Sequence, residues 1–191
     1  MALFMCNTSN VHEMKFGRPQ TVLVEGKDAL PNGVIVTLGA TKEGIARELD
    51  HVHGITEGAL TAVAGKFIVV APEINAQQYR TIDGQIGKFV LEVGETYSAY
   101  QLSVLDRIEY SEAYFKDAAT LKVGDKVNVQ QKDANGARFV KADTGCMHIV
   151  SVVDLWMPIM LAANDGVAQV GGEDAKLMPA TIKMIKVEVE K

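Results

Sequence analysis

The stretch LKVGDKVNVQQKDANGARFVK, Leu121–Lys141, decides how this chain is read. Within it, Val127 and Val129 share a parity in the run Lys126–Gln131, and Ala137–Lys141 offers a returning run beyond the polar segment Lys132–Gly136. That segment ends in Asn135-Gly136, and Asn-Gly between alternating runs is the strongest short-range signal for a β-hairpin, because both residues tolerate positive φ. Leu121-Lys122-Val123-Gly124-Asp125 reads as the turn that launches the first of the two strands.

The same grammar continues outward on both sides. Thr21–Glu25 is a β-branched run, and Pro31-Asn32-Gly33 is a turn leading into Val34–Leu38, with Val34, Val36 and Leu38 on one face and Ile35 and Thr37 on the other. Phe67-Ile68-Val69-Val70 is too short for a helix and reads as a strand buried on both faces. Lys88–Val93 alternates with Phe89, Leu91 and Val93 inward, Gly94-Glu95 turns the chain, and Thr96–Leu102 continues as a strand. Arg107–Phe115 fits either a strand, by Tyr110, Tyr114 and Phe115, or a helix, by the spacing of Ile108, Glu112 and Phe115. His148–Val153 is a further strand and Gly166–Gly172 a small flexible connection. In the tail, Thr181–Lys191, Ile182 and Met184 hold one parity while Ile185, Val187 and Val189 hold the other. Such a slip predicts a bulge between Met184 and Ile185 or a strand shared between two layers, and the Glu-Val-Glu-Lys ending suits a charge-protected edge strand. The helix candidate is Thr41–His53, where Ile45, Leu49 and Val52 fall on one face; Gly44 and Gly54 weaken it toward a short helix or an irregular loop.

The fold class expected from this pattern is mainly β: antiparallel barrel or sandwich modules with at most one or two short helices. An extended N-terminal arm, 1–18, would precede β-rich modules at 19–105 and 106–191, with the two as halves of one continuous domain as the alternative. The arm would be loosely ordered or laid on a neighbouring surface.

Composition sets the outer limits. With 191 residues, 48% hydrophobic and 23% charged, the chain can bury a real core and is not mainly disordered. Its net charge of −5 disfavours direct nucleic-acid binding, which needs clustered Lys and Arg. No window approaches the roughly 18 consecutive apolar residues of a membrane span. The N-terminal segment lacks the basic start and apolar run of a signal peptide, which points to the cytosol or to a particle assembled there. Cys6 and Cys146 read as two buried thiols of a reducing compartment, or as a disulfide tying the arm to the body.

Reactive constellations are sparse. His51-Val52-His53 places two imidazoles two residues apart near Glu48 and Asp50, but a metal site shows more ligands at matched spacing, so a surface pair is expected and no metal ligand is assigned. His12 stands apart from the other histidines. Cys146 precedes His148 by two residues, yet a nucleophile also needs an oriented base and an oxyanion site, and neither is marked. No GxSxG, P-loop or GxGxxG pattern occurs in the strand-to-helix context it requires, and Gly171-Gly172 reads as a bend. Glu43/Glu48 and Glu109/Glu112 are scattered among lysines as a solvated face. No catalytic residue, cofactor-binding residue or cofactor follows, and an enzyme is not expected. Leu155-Trp156-Met157-Pro158-Ile159-Met160-Leu161, the most apolar stretch, reads as a core segment, with an exposed interface loop as the alternative.

Three segments together resemble the small capsid decoration (cement) proteins of tailed bacteriophages. Glu25–Gly39 is similar to their Asn-Gly turn followed by a hydrophobic strand, Val93–Leu102 to their glycine-then-Ala-Tyr segment, and Leu121–Val127 to the Val-Gly-Asp turn that follows. Order and spacing agree over about residues 20–141; the C-terminal 50 residues bring no match. The resemblance implies a non-enzymatic virion protein on the outer face of an icosahedral shell, assembled in the host cytoplasm. It would bind the major capsid protein and its own copies as a homotrimer, without direct nucleic-acid or membrane contact, and the N-terminal arm would clamp the shell. The alternative from a different class is a small-ligand or carbohydrate-binding β module whose groove is lined by Tyr97, Tyr100, Tyr110 and Tyr114.

Overall fold

A computed structural model of the chain describes residues 6–17, 19–42, 52–71, 90–134, 136–161 and 176–191. Among them the chain is mainly β, built as a closed barrel packed against a six-stranded sheet.

The barrel strands are β2 (Gln20–Leu23), β4 (Val34–Lys42), β5 (Val52–Thr56), β6 (Phe67–Val70) and β8 (Thr96–Gln101), in the order β2-β5-β4-β6-β8. Closure comes from β2, which pairs antiparallel with β8 and parallel with β5. A two-stranded patch of β3 (Leu30–Pro31) and β7 (Val90–Leu91) stands beside it. The sheet runs β1 (Cys6–Asn10), β9 (Arg107–Ser111), β13 (Lys176–Val189), β12 (Met147–Leu161), β10 (Lys126–Val129) and β11 (Phe139–Lys141).

Two cores follow from alternation along the barrel strands. Val34 and Val36 of β4 and Val69 of β6 fill the barrel with Val22, Val24, Leu91 and Ala99. Ile35 and Ile68, on the opposite parity, leave the barrel and join the sheet core around Ile108, Tyr110, Phe139, Met147 and Ile185. Phe67–Val70 is therefore buried on both faces because its barrel wall also carries the sheet.

The turn at Asn32-Gly33 fastens the two bodies. Tyr110 Oη donates to the Gly33 carbonyl at 2.9 Å, and Tyr114 Oη donates to the Asn32 carbonyl. The Asn32 side chain bonds both the N–H of Ala71 at 3.0 Å and its carbonyl at 3.3 Å, so the buried turn has its polar groups paired. Burial of the two phenols pushes both well above the ordinary tyrosine range, which keeps them as donors. Their rings stack with Phe139 and Phe115, the Tyr110–Tyr114 and Tyr110–Phe139 centroids lying 4.7 and 4.8 Å apart. A second tie is Arg138, almost fully buried, whose Nε meets Glu57 Oε1 at 3.0 Å while Nη1 donates to the Gly136 carbonyl.

Several expectations are corrected. Thr41 and Lys42 continue β4, and Val52 and His53 open β5, so both ends of the expected helix are strand; its middle, 43–51, lies outside the described residues. A helix does form at His12–Phe16 (α1), inside the segment read as an arm. Ahead of it, β1 is extended and laid on β9, and Cys6 and Val11 belong to the sheet core. Val93 is exposed because it sits in a turn rather than on an inward strand face. Arg107–Phe115 divides into strand β9 and a 3-10 turn at Glu112–Tyr114. The hairpin of β10 and β11 forms with Val127↔Lys141 and Val129↔Phe139 in register. Asn135 lies outside the described residues, as does Gly166–Gly172. The bulge is on β12, between Ile149 and Ser151, while β13 runs in unbroken register from Met184 to Glu188 against β9. β13 is interior, not an edge: β9 and β12 flank it, and its terminal charges pair across them.

Candidate interaction surface

The sheet is tied laterally by charge. Glu188 meets Arg107 at 2.6 Å, Glu190 meets Lys126 at 2.7 Å, and Lys186 meets Glu109 at 2.6 Å. His148 stands between the two terminal glutamates, Nδ1 lying 3.2 Å from Glu190 and Nε2 3.8 Å from Glu188. The ammonium of Lys126 holds the Glu190 carboxyl below its usual range. The Arg107–Glu188, Lys126–Glu190 and Lys186–Glu109 pairs form a ladder of opposite charges across strands.

The residues singled out for chemistry do not converge. His53 lies on β5 with Nδ1 3.3 Å from the Gly39 carbonyl, and His51 is outside the described residues. His12 donates its backbone N–H to Asp106 at 2.9 Å. No group of three His, Cys, Asp or Glu suited to a metal ion occurs among the described residues. Cys6 and Cys146 are both buried and unbridged. The Cys146 thiol faces the carbonyls of Val127 at 3.5 Å and Leu60 at 3.7 Å, whereas His148 faces carboxylates. Burial pushes the Cys146 thiol up, so it stays protonated near neutrality. An aromatic disulfide reagent is expected to titrate neither thiol of the folded chain over minutes at pH 8, and both once denaturant is added; rapid reaction of either in the folded state would contradict this burial. Of the four tyrosines considered for a groove, Tyr110 and Tyr114 are fully buried, while Tyr97 and Tyr100 are partly covered and Tyr97 Oη accepts the Glu92 N–H at 2.7 Å.

The pairing without a counterpart in the sequence reading is that of a long ribbon. β12 and β13 pair from Met147↔Val189 to Leu161↔Lys176, interrupted once by the bulge between Ile149 and Ser151. β10 covers β12 only at Met147 and His148, and β9 covers β13 only from Met184 to Glu188. Beyond those points, over Ser151–Leu161 and 176–183, each strand has only the other as a strand neighbour among the described residues. The portion that is two-stranded, from Asp154↔Lys183 to Leu161↔Lys176, is roughly 25 Å long at about 3.3 Å per residue. The apolar stretch Leu155–Leu161 is thus strand, in register opposite Lys176–Ile182; the side chains beyond Leu155 on β12 lie outside the described set.

The register carries one more detail. Pro158 stands opposite Pro179. Proline has no N–H, so the pair occupies a non-hydrogen-bonded position, where both backbone nitrogens face outward. Both edges of the ribbon therefore lose their outward donor at the same level, which blunts addition of a further strand. At the ribbon's base Val153 and Leu155 are exposed.

Compared with protein-family models, with curated proteins and with solved structures, the chain matches none. No described helix is long and apolar enough to cross a membrane.

Proposed function

We propose that this chain is a virion structural protein that decorates an icosahedral phage shell, binding the major capsid protein and its own copies as a homotrimer. The observation that carries the reading is the β12–β13 ribbon. From Leu155 to Leu161 and from Leu177 to Ile182 it contains no charged residue on either parity of the register. A two-stranded ribbon alone is marginal in water, and one of this composition is suited to lying against another protein. Its paired prolines direct that contact to the faces of the ribbon rather than to its edges. The resemblance of residues 20–141 to decoration proteins supports the same reading, and the location on the particle surface follows from it.

The N-terminal segment is a poor place to test this, since removing Cys6 and Val11 would open the core. A shortened ribbon is better. Replacing 158–179 by Asn-Gly joins Met157 to Ala180, the neighbouring hydrogen-bonded pair, in the geometry a two-residue turn requires. The expected result is a folded barrel and sheet, short only of the excised strand residues, with binding to undecorated shells at least about tenfold weaker, roughly 1.4 kcal/mol. No added density on shells at saturating wild-type protein, by electron microscopy, would sink the proposal. Wild-type binding by the shortened form would remove the ribbon from it.

A further inference from the structure

We draw no further inference here: the strongest candidate, the open depression beside the Ser103–Asp106 turn, where the exposed Leu105 is held at a φ of 74°, carries nothing because nothing in the structure shows what covers it.

Discussion

Tyr110→Ala is expected to lower the unfolding free energy by about 4 kcal/mol, within the range for removing a buried aromatic ring. Tyr110 is fully buried on β9, opposite Cys6 of β1 on one side and Ile185 of β13 on the other. Its ring lies between those of Tyr114 and Phe139, and its hydroxyl holds the Gly33 carbonyl of the barrel. Truncation removes packing in the sheet core and one of two phenol links to the barrel together. Tyr110→Phe separates the parts: it keeps the ring, leaves the Gly33 carbonyl without its donor, and should lose about 1–2 kcal/mol. Urea titrations followed by circular dichroism measure both. A loss below about 1 kcal/mol for the alanine variant would mean that the ring is not the keystone between barrel and sheet.

Gly145→Ala is the second large effect. A Cβ at this position would lie 2.5 Å from the Val127 nitrogen and 2.7 Å from its carbonyl oxygen. The obstacle is backbone, not a side chain that can swing away, and that backbone is held in place: Cys146 N–H donates to the Val127 carbonyl at 3.0 Å and Val127 pairs with Met147. The substitution must push β10 off β12, with an expected loss of about 3 kcal/mol or failure to accumulate as folded protein. Gly58→Ala is the control, since a Cβ there meets nothing within 4 Å, and should change stability by less than about 0.5 kcal/mol. Equal midpoints for the two variants in denaturant would refute the close approach.

Both predictions fall where local pattern stops being informative. The hairpin at β10 and β11 was readable because the alternation of Val127 and Val129 and the Asn-Gly signal act within 15 residues. Strand β4 and the doubly buried β6 were readable for the same reason. The Thr41–His53 helix expectation fails at both ends because Thr41 and Lys42 pair with His53 and Val52 across β4 and β5, a pairing that the spacing of apolar residues along the chain does not report. The parity slip in β13 was real, but its cause is a change of neighbours at Met184, where β9 joins the strand, and the bulge sits on β12. A strand cannot signal which partner carries the extra residue. The ribbon was half visible: the apolar run Leu155–Leu161 stood out, and its pairing with Lys176–Ile182 did not, because register across so long a connection leaves no short-range trace. Leu105 gave no signal, since the positive φ that makes it unusual is a property of the folded turn.

Taken alone, the sequence determined a β-rich chain with firm turns at Asn32-Gly33 and Lys122–Asp125 and a hairpin between them and the C-terminal strands, since alternation and turn chemistry act between near neighbours. Tertiary structure alone decided that the first strands close into a barrel, that β13 lies inside its sheet, and that β12 and β13 run on together past it. Those outcomes depend on pairings between residues far apart in the chain, chosen by how whole faces bury against one another, and no local pattern encodes them.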